Sequence, residues 1–244
     1  MSRYSRCGRR GGLWLAALLL SGQALAHDDM SGMAMDGSLH TLVMLDQLEV
    51  TQGRDGAGQR WEGQGWAGGD IDRLWLRSEG DSAGGSLRDG DVEAFWSHAV
   101  SPFWVAQTGM RQDLGAGART WGAIGLQGLA PYWINVEATA YVGEGGRLAG
   151  RLRSSYDLWL TQRLVAQPEL EANAYSRADA GRDLGSGPTD LRLGLRLRYE
   201  IRHEFAPYVG VEMIRHFGET AGLISQAGQP AQDVQAVAGI RLWF

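Results

Sequence analysis

The sequence predicts an all-β protein, a transmembrane antiparallel β-barrel of an outer membrane with about twelve strands, or ten, behind a short disordered N-terminal segment. The first observation is residues 190–205, DLRLGLRLRYEIRHEF, in which apolar side chains alternate with polar or charged ones. A period of two places the apolar side chains on one face of a strand and the charges on the other. The run exceeds most strands of soluble sheets and suits a tilted strand between lipid and a polar lumen.

The second observation is that no apolar run beyond the N-terminal leader approaches the roughly 20 residues of a membrane helix. In lipid, only helices and closed barrels satisfy the hydrogen bonds of the backbone. A membrane-embedded chain with this pattern is therefore expected to be a barrel. The 10 Trp, 7 Tyr and 36 Gly residues fit aromatic girdles and tight turns.

The N-terminus is predicted to be a secretory signal peptide over residues 1–26. Four arginines precede the short apolar run LWLAALLL, and Ala-Leu-Ala at 24–26 is a small-residue cleavage pattern, so the mature chain is expected to begin at His27. The single cysteine, Cys7, lies in this leader, which excludes disulfides and thiolate sites from the rest of the chain.

The net charge of the chain limits the kinds of molecule that it is expected to bind. The chain has 23 basic and 28 acidic residues; four arginines belong to the leader, which leaves 19 against 28 and a formal charge of −9. Every basic residue is Arg. A net negative charge argues against nucleic acid as a partner.

The pattern of strands and links supports the barrel. Longer polar loops are expected after odd-numbered strands, at 53–58, 80–90, 114–118, 143–146, 178–188 and 218–232, and tight links after even-numbered ones, at 68–69, 101–102, 130–131, 161 and 206. Outer-membrane barrels have short periplasmic turns and long outer loops, and an even strand count returns the C-terminus to the periplasm. We expect the barrel to span residues 45–244, with strands at 45–52, 59–67, 71–79, 91–100, 103–113, 119–129, 132–142, 147–160, 162–177, 189–205, 207–217 and 233–244.

Charged side chains share the inward face of the predicted strands. Arg151 and Arg153 lie on the eighth strand, and Glu169 and Glu171 lie on the ninth. Buried charges need partners, and Arg can hold a carboxylate with two hydrogen bonds, so these groups are expected to meet across neighbouring strands. Such a network either holds a narrow barrel shut or lines a polar path for ions. The small size of a twelve-stranded barrel favours the first interpretation.

Residues 27–44, HDDMSGMAMDGSLHTLVM, lack periodicity and are expected to be disordered. Thioethers are soft ligands that select Cu(I), and imidazole also binds copper. The M-x-x-M-x-M spacing lets a flexible segment wrap one ion with two or three sulfurs, whereas zinc prefers thiolates or a fixed set of histidines. The alternative is that Met serves only as an apolar filler. The candidate copper ligands are Met30, Met33, Met35, His27, His40 and Met44.

The other His and Met residues are weaker candidates. His203 and Met213 are expected on the lipid side, and His216 is a secondary ligand candidate near the outer end of its strand. Ser97 and His98 adjoin, but neighbours on a strand point to opposite faces and cannot form a catalytic pair. The sequence therefore predicts no enzyme.

Five segments of the chain have a distinctive sequence: WEGQGWAGGDIDRLWLR at 61–77, GLQGLAPYW at 125–133, YDLWLTQRL at 156–164, GLRLRYEIRHEFAPYVGVE at 194–212 and the final GIRLWF. They resemble the copper resistance protein B family of outer-membrane proteins, and the resemblance covers nearly all of residues 45–244. The resemblance implies an outer-membrane barrel with a Met/His-rich N-terminus that binds copper. Family members commonly carry a longer leader with repeated M-D-H-type units; the short segment here suits capture or hand-over of one or two ions.

The resulting hypothesis is a copper resistance protein of a Gram-negative outer membrane, with its N-terminus in the periplasm, that takes part in copper export, sequestration or transfer. The expected partners are copper ions, the outer-membrane lipid bilayer and a periplasmic copper-handling protein, either a multicopper oxidase or a copper chaperone. Two alternatives remain: a general porin-like channel with an incidental Met-rich tail, and a purely structural barrel.

Overall fold

The protein is an all-β, closed antiparallel barrel, as the sequence predicts. The computed structural model describes residues 39–244 apart from 55, 116, 183, 203 and 227. Within this part of the chain, no helix is long and apolar enough to cross a membrane. The strands are β1 (His40–Gly53), β2 (Gly56–Gly68), β3 (Asp72–Ala83), β4 (Ser86–Ser101), β5 (Trp104–Asp113), β6 (Thr120–Ala130), β7 (Ile134–Gly143), β8 (Arg147–Ser155), β9 (Leu158–Trp159), β10 (Leu164–Tyr175), β11 (Gly187–Tyr199), β12 (Phe205–His216) and β13 (Gln232–Trp243).

The sheet closes on itself through the first and last strands. Neighbouring strands pair antiparallel around the whole sheet, and β8 and β9 are consecutive segments that both pair with β10, so the barrel has twelve strand positions. β1 pairs with β13, with Leu45 opposite Leu242 and Val50 opposite Ala238. Closure removes the unpaired edges that lipid does not tolerate.

The two faces of the strands have the predicted chemistry. On β11, Leu193, Leu195 and Leu197 are 37%, 51% and 40% exposed, whereas Arg196 and Arg198 between and beside them are buried. A similar alternation of buried and exposed residues runs along β4, β5, β6 and β13. The outer surface is therefore an apolar band suited to acyl chains, and the charges lie inside.

The two ends of the barrel differ. We call the end with the turns 69–71, 102–103, 131–133, 160–163 and 200–204 the terminal end, because β1 begins and β13 ends there. The opposite end is called the loop end, and its links are 54–55, 84–85, 114–119, 144–146, 176–186 and 217–231.

The expectation that every odd-numbered strand is followed by a long loop is wrong at residues 80–90. β3 and β4 continue through this polar run to a two-residue hairpin turn. Gly84 and Gly85 occupy the turn with φ of 60° and 80°, which side chains other than glycine rarely adopt. Asp81 faces the lumen, where it pairs with Arg60, whereas Ser86, Arg88 and Asp89 are exposed near the hairpin turn. Composition does not distinguish such residues from those of a loop.

Other boundaries also differ from the sequence prediction. The longer loop predicted at 53–58 is only the link 54–55, because β2 begins at Gly56. β1 begins at His40, since residues 40–44 pair with β2, and Met44 also pairs with Trp243 of β13, rather than forming a disordered tail. β11 ends at Tyr199, because a turn follows in which Arg202 and Phe205 exchange backbone hydrogen bonds. The predicted link at 206 lies inside β12. The loop predicted at 218–232 contains a helix, α1 (Gly218–Gln226).

Exposed aromatic side chains cluster on the terminal end. Pro131–Trp133 forms a short 3₁₀ turn there, and its two aromatic rings project outward. Such rings favour the interface between lipid and water, so they mark one edge of the membrane-embedded band. The exposed aromatics at this end include Phe103, Tyr132, Trp133, Trp159, Tyr199, Phe205 and Phe244.

A charge on the outer face tests the lipid contact. Ile124 lies in the middle of β6 and is 63% exposed. Ile124→Arg should lower the free energy of unfolding in lipid vesicles by about 2–4 kcal/mol, because the charge lies near the bilayer midplane. Leu148→Arg is the matched control: Leu148 is the second residue of β8 at the loop end, where the cost falls to about 0–1 kcal/mol. Equal costs at the two positions would contradict this membrane placement.

Candidate functional site in the barrel lumen

The lumen has two unlike halves. Near the terminal end lies a cavity of about 680 Å³, which we call the vestibule; its lining includes Met44, Asp46, Gln64, Arg198 and Arg241. Towards the loop end the free volume falls to a cavity of about 70 Å³ lined by Arg and carboxylate side chains. The vestibule has room for hydrated ions, and the second cavity has room for about two water molecules.

The narrow half is filled by ion pairs, which we call the central charge network. Its members project inward from nearly every strand, at positions of one parity. Most of these side chains are nearly inaccessible to solvent, so each charge needs a partner of opposite sign. The network comprises Glu49, Arg60, Glu62, Arg77, Glu79, Asp81, Asp91, Glu93, Arg111, Asp113, Glu137, Arg151, Arg153, Glu169, Glu171, Arg192, Arg196 and Glu212.

Part of the network crosses the lumen. Arg151 on β8 lies 2.8 Å from Glu79 on β3 and 2.9 Å from Asp91 on β4. Arg153 also contacts Glu79 and lies 3.2 Å from Glu171 on the neighbouring β10. Charges therefore meet across neighbouring strands, as expected, and also across the barrel. These crossing pairs occlude the lumen of the narrow half.

The opposite wall is tied together in the same way. Arg60 on β2 reaches Glu212 on β12, with 2.6 Å between Nη1 and Oε1. Arg196 on β11 reaches Glu49 on β1, with 3.1 Å between Nη2 and Oε1, and the Tyr208 hydroxyl donates to Glu49 at 3.0 Å. These contacts span the β1–β13 seam, so the network also braces barrel closure.

The loop end carries a cap made of residues 176–186 and α1. Arg182 reaches across the mouth to Asp113 at the end of β5 and lies 2.8 Å from Asp89 on β4. Asp179 accepts a hydrogen bond from Arg119, which lowers the pKa of Asp179. Thr220 of α1 accepts a hydrogen bond of 2.8 Å from the Gly185 backbone. The cap closes the mouth above the central charge network.

Four of the six candidate copper ligands, His27, Met30, Met33 and Met35, lie outside the described residues. The other two are on β1: His40 stands opposite Gly68 at the terminal end, and Met44 lines the vestibule. Among the described residues, no group of three or more His, Cys, Asp or Glu side chains is arranged to hold a metal ion. Any copper site in the described barrel must therefore rely on a thioether or on fewer ligands.

The weaker candidates do not converge on one site. His98 lies outside the barrel near the terminal end, where its Nδ1 is 2.8 Å from Asp72. Ser97 is buried inside and accepts a hydrogen bond from Gln107, so the two neighbours do face opposite ways. Met213 lies beside Gln232, His216 closes β12 at the loop end, and His203 is outside the described residues.

Sequence reasoning missed the residues around Met44. A bulge in β1 between Leu45 and Gln47 interrupts the alternation, so Met44, Asp46 and Gln47 all line the vestibule. A strict period of two would assign only alternate residues to this wall. The polar character of Asp46 and Gln47, which follow Met44 closely, was the available signal.

The chain is similar in sequence to known copper resistance proteins. A family profile described as "Copper resistance protein B precursor (CopB)" matches residues 39–244. The chain is 44% identical over 221 residues to Copper resistance protein B of Escherichia coli, covering 90% of this chain and 75% of that protein. It is 45% identical over 210 residues to a Copper resistance protein B homolog of Pseudomonas syringae pv. tomato (strain ATCC BAA-871 / DC3000), covering 86% and 71%.

Two solved porin structures have a similar barrel backbone. The KdgM porin superposes with a TM-score of 0.53 at 14% identity, and the NanC porin with 0.54 at 11%. Each match covers 83% of this chain and 99% of the porin chain. At such low identity the likeness is one of barrel fold alone.

Removing one charge from the central network should destabilise the barrel. Arg151→Met leaves Glu79 and Asp91 with fewer partners in a desolvated lumen and should cost about 3–5 kcal/mol, measured by urea unfolding from lipid vesicles. Arg163→Met, at an exposed turn, is the control and should have little effect. The double variant with Asp91→Asn should cost less than the sum of the two single changes. Strict additivity would show that this ion pair carries no coupling energy.

Proposed function

Because the chain belongs to the copper resistance protein B family, we propose that it binds copper through Met and His side chains and takes part in copper export, sequestration or transfer across the outer membrane. The family membership supports a role in copper resistance, and the family match together with the closed barrel supports an outer-membrane location. Copper is the cargo in this proposal, and the role is not enzymatic.

One observation carries the proposal beyond family membership. β1 begins at His40 on the terminal end and brings Met44 to the wall of the vestibule. In the sequence, the MSGMAM run ends at Met35, just before this strand. The proposed ligands Met30, Met33, Met35, His27, His40 and Met44 thus lead along the chain to the wide cavity of the barrel.

The chemistry of these ligands favours a soft ion. Thioether sulfur prefers Cu(I), and imidazole adds a second ligand type that copper accepts. Neutral thioethers carry no charge to hold the ion permanently, so ligand exchange among them suits capture and hand-over. The ion would pass either to the mouth of the barrel or to a periplasmic partner, a multicopper oxidase or a copper chaperone.

The proposed orientation puts the N-terminus in the periplasm. Both ends of the described barrel lie at the terminal end, where no turn exceeds the five residues 200–204, whereas the loop end has links as long as 217–231. In outer-membrane barrels the shorter turns face the periplasm. A predicted signal peptide at residues 1–26 agrees with export of the chain to that compartment.

A general porin-like channel is the second candidate function. The similarity of the backbone to two porins favours it. The central charge network and the cap over the loop end argue against a wide, permanently open pore. The copper-binding proposal requires metal ligands in residues 27–44. The channel proposal requires a lumen that the central charge network does not block.

Replacing the three clustered thioethers tests copper binding directly. In the protein without residues 1–26, Met30→Leu, Met33→Leu and Met35→Leu together should weaken Cu(I) binding by at least tenfold, because leucine keeps the volume and removes the soft ligand. The measurement is a competition titration with a chromophoric Cu(I) chelator in detergent.

A matched control uses methionines outside the proposed ligand set. Met110, which is exposed on the outer face, and Met213 lie on the barrel. Met110→Leu with Met213→Leu should leave affinity and stoichiometry unchanged. If the triple variant binds as the unchanged protein does, the N-terminal thioethers are not the ligands.

Conductance in planar bilayers separates the two functions. The unchanged protein should show no large pore, with or without copper, because ion pairs occupy the narrow half of the lumen. The double variant Glu79→Ala and Arg151→Ala should raise the conductance severalfold, whereas Arg88→Ala, an exposed position at the loop end, should not. A large copper-independent conductance of the unchanged protein would favour the porin-like channel.

A further inference from the structure

Arg241 on β13 lies against two donor atoms of β1 at the vestibule. Its Nη2 is 3.6 Å from the Met44 sulfur and 3.0 Å from Asp46 Oδ1. All three residues line the vestibule. A positively charged group thus sits in contact with a soft thioether and a carboxylate oxygen, the two donor types that a metal cation would use there.

We propose that Met44 and Asp46 form a barrel-borne binding site for a soft monovalent metal cation, and that the Arg241 guanidinium occupies this site when the metal is absent. The proposal rests on the proposed copper function and extends it to a site of its own. The site lies on β1 and β13, beside the seam of the barrel.

The hydrogen bonds around Asp46 hold the donor atoms in place. Gln64 stands opposite Met44 on β2 and donates from Nε2 to Asp46 Oδ2 at 2.5 Å. Gln64 is itself fixed, because its Oε1 accepts a hydrogen bond of 3.1 Å from the Trp75 indole. Asp46 Oδ1 is therefore the oxygen directed to Arg241 and available to a cation that replaces it.

The partners of Arg241 are fewer than those of the network arginines. Arg151 and Arg153 each contact three carboxylates, whereas in the described part of the chain Arg241 pairs with Asp46 alone. Its Nε is shielded from solvent and has no hydrogen-bond partner among the described residues. A thioether is a weak acceptor for a guanidinium but a strong ligand for a soft metal. When a soft metal replaces the guanidinium, the Met44 sulfur therefore exchanges a weak hydrogen bond for a stronger metal–ligand bond.

The Arg241 guanidinium can be accommodated nearby when a metal displaces it from Met44 and Asp46. Its guanidinium carbon already lies 5.1 Å from the centre of the Trp243 ring, within range of a cation–π contact. The vestibule of about 680 Å³ adjoins it. A metal ion reaches Met44 from the terminal end without crossing the central charge network, so the site suits reversible loading.

The test uses the full chain without residues 1–26, carrying Met30→Leu, Met33→Leu and Met35→Leu so that the N-terminal thioethers are silent. The probe is Ag⁺ alone, a soft monovalent cation that does not change oxidation state in buffer. Arg241→Gln should tighten Ag⁺ binding at least tenfold, because the competing charge is gone. Arg241→Lys keeps a positive charge and should bind close to the unchanged side chain.

Met44→Leu in the Arg241→Gln background should abolish the gained affinity, while Met213→Leu, which removes a thioether beside Gln232 at the loop end, should not. Folding of each variant is checked by the heat-dependent mobility shift of the barrel on gels.

Equal Ag⁺ affinity of the Arg241→Gln and Arg241→Lys variants, or an Ag⁺ affinity that Met44→Leu leaves unchanged, overturns the proposal. Since these arms lack the N-terminal thioethers, they can succeed even where the tail proves not to bind copper, and the two proposals fail separately.

Discussion

Ion pairing inside the barrel is the interaction on which the rest of this structure depends. In the narrow half of the lumen, which has room for few water molecules, inward positions carry arginines and carboxylates, and such charges are tolerated only in opposite-sign contacts. Arg151 therefore reaches Glu79 across the lumen, and Arg60 reaches Glu212 over the seam. These contacts hold the walls at a fixed separation and decide where free space can remain.

Most of the free space in the lumen lies near the terminal end. The central charge network and the cap over the loop end leave the vestibule as the wide part of the lumen. β1 connects this cavity in sequence with the methionine run of the N-terminal segment. The ligands proposed on β1 therefore lie at the wide end of the lumen.

The faces of the strands could be predicted from sequence because period-two alternation survives in most of them, as with Leu195 outside and Arg196 inside. The turns were harder. Glu79 and Asp81 are polar because they face the lumen, and composition does not distinguish a lumen residue from a loop residue. The environment of Asp46 depends on a β-bulge, and a single extra residue in one strand leaves no pattern of its own. The helix α1 is short, and its polar stretch of sequence has neither the capping residues nor the apolar stripe that predict a helix.

The seam between β1 and β13 has a consequence for biogenesis. β1 gains β2 as a neighbour early in synthesis, but its second neighbour is the last strand of the chain. Until that strand arrives, a row of backbone donors and acceptors stays unpaired, which invites aggregation and cannot enter hydrocarbon. Pairing between the two ends of a chain is also slow. Ring closure is therefore the last pairing that the barrel can complete, and β1 keeps one unpaired edge until β13 is in place.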